Sequence, residues 1–420
     1  MRRSDATRAT VLDRALATSR SISVTGPLTP LDADRVRARL APAMTPTSRL
    51  TVVPDPSSAR WIHDVTPRPV VERPDLADLS PGEILTRLRA RTGPAGTVEY
   101  LLGGRWLILD QSHGIGDGRS SLEQIAGLAG RDGSAMAPNL ERSLPAGSAW
   151  HAAYRQLLRH PARLREVARL RTANAPGASE GPRRQLSGWR STRRVVATSM
   201  SADRVGALRD AVAAGGMKVS SAAVTVALWR AAVAEEVRVD PRTQVLFDCR
   251  RYLDPAHAND HGNLAVGIPL RFPDSATPVE IGDRIREVTR SGWPVAILGA
   301  GELRGLLRPQ AGGPSTGPDI AVVPDRLRLS VSDMGRIGVF GDVEWDPQAS
   351  SHHLYASLEP DGPDAATTFV SEVDGTRSFT TTFYEAFVDR AVIEAAHRTL
   401  CDDPVALFRR VMNPTTRTRS

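Results

Sequence analysis

The sequence predicts a two-lobed α/β (α+β) protein, and three observations carry that reading. The chain has 420 residues, more than one hydrophobic core usually organises. Stretches with strand periodicity alternate with stretches of helix periodicity, so mixed sheets with flanking helices are expected. A segment rich in Ala, Pro, Gly and Ser, from Thr172 to Gly188, divides the chain near its middle, and a lobe boundary is expected there. Residues 1–20 then read as a polar N-terminal extension, 21–180 as an N-terminal lobe, 189–411 as a C-terminal lobe and 412–420 as a disordered tail.

The elements follow in order. Met1 to Ser19 is polar, with a weak helical pattern at Val11, Leu12 and Leu16. Ser21 to Thr25 reads as a strand ending at Gly26-Pro27, and Leu31 to Leu40 as a helix with Asp32 and Asp34 near its positive end. Arg49 to Val53 reads as a short strand. Ser80-Pro81-Gly82-Glu83 has the residues of a helix start, a Ser cap with Pro first and Glu third. Thr97 to Leu102 and Arg105 to Ser112 flank Gly103-Gly104 as a hairpin with a two-residue turn. Leu122, Ile125, Ala126 and Ala129 mark one face of the next helix. Ala149 to Arg171 is helical, interrupted at Pro161. Between Arg155 and Arg194 lie eleven arginines and two glutamates, either a solvated face or a docking surface for a phosphate-bearing partner. In the second half, strands are expected at Arg194 to Met200, Gln244 to Cys249, Leu264 to Leu270, Leu327 to Ser332, His352 to Glu359, Thr367 to Val373 and Arg377 to Tyr384. Helices are expected at Ala202 to Ala214, Ser220 to Glu235, Val279 to Ser291 and Glu385 to Leu400, with a Gly/Pro-rich stretch at Gly299 to Pro318.

Composition bounds the function. Hydrophobic residues make up 41% and charged residues 24%, as in an ordinary soluble domain. The 54 basic and 47 acidic residues leave a charge of +7, and Lys218 is the one lysine among them. That arginine bias, with high Ala, Gly and Pro, follows more simply from a GC-rich coding sequence than from a function. A basic excess can favour an acidic partner, but aromatics are only 5% and no basic-aromatic stacking motif occurs, which argues against nucleic acid. Cys249 and Cys401 have no ligand or disulfide spacing, so a reducing cytoplasmic setting is expected. The first twenty residues lack the continuous apolar stretch of a secretory signal, and no run approaches the ~18 apolar residues of a membrane span.

The stretch Ser112-His113-Gly114-Ile115-Gly116-Asp117-Gly118 joins an apolar strand to an amphipathic helix. One reading is a phosphate-cradling loop, although its Gly-x-Gly-x-Gly spacing departs from the dinucleotide fingerprint and it follows a hairpin. A second makes Asp117 a helix cap and the glycines a turn. The third is a resemblance. Ser112-His113-x-x-x-Asp117-Gly118 resembles the HHxxxDG motif of the chloramphenicol-acetyltransferase-like superfamily, which includes the condensation domains of nonribosomal peptide synthetases and several groups of acyltransferases. Asp248-Cys249-Arg250 with Gly262-Asn263 resembles its D-x-R and G-N, Ser332 to Arg336 its S-N-x-G-R, and Asp374-Gly375 through Tyr384 its closing strands. In order, these span Ser21 to Leu400. Two residues depart: Ser112 stands for the first histidine, and Asp333 for an asparagine, and an ionised carboxylate cannot donate a hydrogen bond.

The resemblance implies a tunnel between two lobes and an ester- or amide-forming acyltransferase or stand-alone condensation enzyme, with the enzyme class expected to be transfer of acyl groups other than amino-acyl or peptidyl condensation. The donor would be an acyl or aminoacyl thioester on coenzyme A or on the phosphopantetheine arm of an acidic carrier protein supplied in trans, with no permanently bound cofactor. The acceptor would be a small-molecule alcohol or amine, in specialised metabolism. His113 would be the general base, since imidazole titrates near neutral pH. Asp117 would turn away and pair with Arg250, while the Gly118 amide and Ser332, with Gly335 nearby, are candidates for contacts to the oxyanion. The alternative is a silent member that only recruits proteins. A monomer is expected. His257, Asp260 and His261 have spacing that could suit a metal on a helix, but their Pro/Gly surroundings predict a loop, so no metal is assigned. His352 and His353, on one strand, would point to opposite faces.

Overall fold

The computed structural model describes residues 6–91, 96–131, 140, 143–145, 147–177, 181–307 and 319–413. Ahead of residue 113 come β1 (Ala6–Arg8), β2 (Arg20–Gly26), β3 (Arg60–Ile62), β4 (Val70–Glu72), β5 (Val98–Gly103) and β6 (Trp106–Ser112). After it come β7 (Arg183–Ser187), β8 (Arg193–Met200), β9 (Val239–Asp248), β10 (Ala265–Arg271), β11 (Ile320–Pro324), β12 (Leu327–Arg336), β13 (His353–Ser357), β14 (Ala365–Val373) and β15 (Thr376–Tyr384). Among the described residues, two large mixed sheets organise the molecule. One runs β13-β2-β6-β5-β4 and the other β10-β9-β12-β14-β15-β8, while β1–β3 and β7–β11 form two-stranded ribbons. The α/β class expected from the sequence is the class observed.

Each sheet is buried on faces that its alternation supplies. On β5 and β6, Tyr100, Leu107 and Leu109 pack with Val36 and Ile125 of helices Ala33–Leu40 and Gly118–Ala129. Leu101 and Ile108 point the other way, onto Ile84, Leu85 and Leu88 of helix Pro81–Arg89, as a period of two requires. That helix begins with the expected Ser80/Glu83 capping box. It also lies against β8 of the second sheet: a Cβ at Gly82 would come within 3.3 Å of the Ala197 nitrogen, and the Val195 N–H donates to the Thr86 hydroxyl at 3.0 Å. A first-half helix thus covers the outer edge of β8. The second core is built around helix Ser221–Glu236, whose small residues Ala223, Ala227 and Ala231 are buried together with Trp229.

Several sequence boundaries shift, each for a physical reason. The first sheet takes its edge strand, β13, from far along the chain, with Leu354 opposite Thr25 and Ser357 opposite Ile22; the two sheets are therefore not divided by a single cut in sequence. The supposed polar extension carries the capped helix Val11–Ala15 with Asp13 buried inside the molecule. Arg49 to Val53 forms a 3-10 turn, Arg49–Thr51, because Ser48 caps it and Arg49 bonds inward. The hairpin turn is Gly104-Arg105, since Gly103 still pairs with Trp106, and Gly104 takes the left-handed φ of 62°. Helix Trp293–Leu307 takes in the first part of the Gly/Pro-rich stretch, from Gly299 to Leu307, and Gly299 lets it approach Ala153; a Cβ there would sit 2.5 Å away. The last helices are Arg390–Asp402 and Pro404–Met412, started by Asp389 and Asp403. Met412 is therefore helical; residues 308–318 and 414–420 lie outside the described set. Among the described residues, no helix is long and apolar enough to cross a membrane.

Candidate active site

Strand β6 ends at Ser112, whose hydroxyl donates to the Ala17 carbonyl at 2.6 Å and accepts from the Gly114 N–H at 3.2 Å. This cap starts a single 3-10 turn, His113–Ile115, that throws the histidine off the sheet. The backbone N–H of His113 donates to the Ser19 carbonyl at 2.8 Å. Gly114 is needed for close approach, because a Cβ would fall 2.9 Å from Ala17 Cα and from the Asp13 carbonyl. Asp117 then caps helix Gly118–Ala129 by accepting from the Arg119 N–H. The cap reading of Asp117 is thus true of the backbone, and it is not the residue's main contact.

That contact is Arg250. Its Nη1 and Nη2 donate to the two carboxylate oxygens of Asp117 at 2.7 and 3.2 Å, a bidentate geometry. The Leu264 N–H donates to the same carboxylate at 3.3 Å, and the Asp248 side chain accepts from the Arg250 backbone at 2.9 Å. Burial works against the guanidinium's charge, but Asp117 and then Asp248 outweigh it, and the Arg250 pKa is raised. The Asp117 carboxylate is thus tied to Arg250 at the wall of the cleft.

The imidazole of His113 is held by Asn263, a residue the sequence marks only as part of the Gly262-Asn263 pair, with no role at the ring. Its Nδ1 lies 3.1 Å from Asn263 Oδ1. Asn263 Nδ2 is committed elsewhere, donating to Asp13 Oδ1 at 2.8 Å and to the His113 carbonyl at 2.9 Å. The carbonyl end of the amide therefore faces the ring, and only an N–H can sit opposite it. Nδ1 carries the proton, so the Nε2 lone pair is left for chemistry. Behind Asn263, Asp13 also accepts from the Asn263 backbone N–H at 3.1 Å and from Arg49 Nη2 at 3.3 Å. Arg49 in turn donates to the carbonyls of Ile115 and Gly114 at 2.9 and 3.2 Å. Asn263, Asp13 and Arg49 are all almost fully buried. The available signals were the Gly262-Asn263 pair and the Thr10-x-x-Asp13 spacing, which makes a capping box.

His113 faces a cleft of about 790 Å³ between the sheets, which Asp117, Gly118, Arg250 and Ser332 also line. Ser21, Leu354 and Ala356 contribute from the first sheet, and Leu246, Ala265 and Phe369 from the second. The walls are chiefly apolar, and Gly118 lets Met334 close one side, since a Cβ there would be 3.0 Å from its methyl carbon. Ser332 is buried at this cleft. Gly335 does not line it; with φ of 63° it turns the end of β12 and donates its N–H to Asp333 at 2.8 Å. Asp333 is buried against Arg377, so its charge is balanced there. Cys249 is fully buried, and burial pushes its thiol pKa up, which removes it as a nucleophile. His257 pairs with Asp260 at 2.7 Å and His261 with Glu123 at 2.9 Å; among the described residues no group of three such side chains could hold a metal. His352 stacks on Trp345 while His353 bonds Ser378 at 3.1 Å, on opposite faces as expected.

No protein-family model matches the chain and no curated protein sequence matches it. Solved structures do. The epimerization domain from the third module of tyrocidine synthetase B superposes with a TM-score of 0.60 at 13% identity, covering 97% of each chain. The condensation domain of the monacolin K polyketide synthase MokA gives 0.58 at 12% identity over 97% of this chain and 98% of that one. The TRI3 trichothecene 15-O-acetyltransferase from Fusarium sporotrichioides gives 0.57 at 12% over 96% and 95%. The chain has the condensation-domain fold. At these identities the superpositions show the fold alone, and the site chemistry rests on this chain's own residues.

Proposed function

We propose that the protein is an acyltransferase in specialised metabolism, with His113 as general base. The observation that carries this reading is the orientation of the His113 ring: Nδ1 is occupied by Asn263 and Nε2 is left for the cleft between the two sheets. An acceptor hydroxyl or amine within ~3 Å of Nε2 would give up its proton as its oxygen or nitrogen attacks the donor thioester carbonyl. The tetrahedral oxyanion would take hydrogen bonds from the Gly118 amide and the Ser332 hydroxyl. Collapse expels the thiolate, which takes the proton back from the imidazolium, so the histidine is regenerated and no acyl-enzyme forms. The dry walls of Leu354, Phe369 and Met334 keep water from competing for the thioester. Condensation of aminoacyl or peptidyl groups uses the same steps, so the enzyme class is not narrowed to acyl transfer other than condensation.

The donor is a coenzyme A or carrier-protein thioester, and an acidic carrier suits the basic surface. One structural neighbour is a condensation domain that mediates chain release from the enacyloxin polyketide synthase, and transfer of a carrier-bound chain is the kind of step favoured here. The test is intact-mass and product analysis of the full chain with panels of acyl-CoA and acyl-carrier donors and mixed alcohol and amine acceptors. Acylated acceptor that disappears in His113→Ala is the expected result. Full product formation by His113→Ala rejects the base assignment. A purely recruiting protein would form no product with any donor.

A further inference from the structure

The cleft at His113 differs in character from one end to the other. At one end its lining is exposed and charged: the Asp248 side chain is 61% exposed and that of Arg119 37%. At the other it is buried and apolar: Ile125 and Leu354 are 0% and 2% exposed. Leu122 and Phe369 wall the space leading there. Strand register places this end away from the base. Leu354 is level with Thr25, and Thr25 with Leu107, five residues back along β6 from Ser112, which is ~16 Å of strand. Ile125 stands seven residues into the helix that starts at Gly118, ~10 Å along its axis. The charges that line the cleft come from the start of that helix and the end of β9, where Asp117 pairs with Arg250 and Arg119 with Glu123; the buried end has aliphatic side chains instead. Core packing alone would account for the burial of Ile125 and Leu354, but not for both of them lining open space continuous with His113.

We propose that the buried end takes the acyl chain of the donor, and that this chain is unbranched and aliphatic, of about eight carbons, the length that ~10 Å of helix admits. The inference rests on the acyltransferase reading of His113 and adds to it the class of the acyl group. With the thioester carbonyl between His113 and Ser332, the chain runs past Leu122 and Phe369 to Ile125 and Leu354, and the thiol half points to the exposed end. Phe369 lies opposite Ser332 on the neighbouring strand, so the chain meets an apolar wall directly beyond the carbonyl. A chain ending in a charged or hydroxyl group would leave that group against Ile125 and Leu354 without a hydrogen-bond partner.

The experiment is calorimetric titration of the full chain with S-(2-oxoalkyl) thioethers of pantetheine, the arm shared by coenzyme A and carrier proteins. These keep the donor carbonyl but cannot transfer the chain, and the series runs from acetyl to dodecanoyl length. Affinity should rise by about fourfold per methylene up to octanoyl length and then fall. Ile125→Phe, which fills the buried end, should move the optimum to hexanoyl length or shorter; Leu354→Ala, which deepens it, should move the optimum to decanoyl length or longer. Thermal unfolding of each variant checks that it folds, and Leu354→Ala decides if Ile125→Phe does not. The proposal is overturned if wild type binds no member of the series, if its affinity does not depend on chain length, or if either folded variant keeps the wild-type optimum. The same donors as true thioesters separate the two readings. The expected length profile in binding, with no product from any acceptor, would count against His113 as an acyl-transfer base and leave the chain pocket standing. Product formed equally from every chain length would support the base and overturn the pocket.

Discussion

The loop that carries His113 is held to the second half of the chain on two sides, and the two holds differ in kind. On one side Asp117 and Arg250 form a buried, bidentate ion pair that never touches the imidazole. On the other, the neutral amide of Asn263 touches Nδ1 itself and is aimed by Asp13. The charged hold fixes where the loop is, and the neutral one fixes which ring nitrogen bears the proton. A carboxylate in the place of Asn263 would favour imidazolium and so disfavour a free base. The division of labour explains why a base can sit beside a strong ion pair without being captured by it.

Variants separate the two sides. Removing the base comes first: His113→Ala should lower turnover by ~10²–10⁴-fold while chemical denaturation shows near-native stability, because the half-buried ring is not a core element. Asp117→Ala should do the reverse in emphasis, costing about 3–5 kcal/mol in a urea unfolding curve, since Arg250 is left buried without its partner. If Asp117→Ala lost activity with no change in stability, the strut assignment would be wrong. Asn263→Ala should cost about 1–3 kcal/mol, the penalty of unpaired buried groups at Asp13 and His113, with its loss in kcat exceeding its loss in stability.

Acid draws the smallest distinction, between site and scaffold. Away from the loop, His353 and His397 bond to Ser378 and Thr381 on β15, and burial holds their pKa values down to about 4 and about 3. Both are depressed below the unfolded value, so each contributes stability that is complete above ~6.5 and lost as pH falls below it. The expected slope is up to about 1.4 kcal/mol per pH unit for each histidine. Equilibrium unfolding between pH 7 and 5 should show it in His113→Ala as in wild type, and less of it in His397→Gln.

Much of this is readable in the chain, and what is not has a common cause. The hairpin, the Ser80 capping box, most second-half elements and the His113–Gly118 turn follow from local periodicity and turn chemistry. Arg250 is reached by resemblance, and its side chain pairs with Asp117. Asp13 and Asn263 stand 250 residues apart, and no local pattern announces a contact that long. A five-residue helix with three apolar positions, Val11, Leu12 and Ala15, has too little periodicity to be told from a polar extension, although its capping-box spacing is there. β13 is legible as a strand, but the sheet it joins is set by tertiary pairing. Gly299 reads as a breaker in sequence and serves as a close-packing residue inside a helix, because tertiary packing overrides propensity.

The most direct test of the His113 arrangement is long-range ¹H–¹⁵N correlation of the imidazole rings in ¹⁵N-labelled protein near pH 8, with His113 assigned by comparison with His113→Ala. A neutral ring with its proton on Nδ1, lost or scrambled in Asn263→Ala, is the predicted result. A proton on Nε2 in the wild-type protein would contradict the account, because the nitrogen facing the cleft would then have no lone pair with which to act as a base.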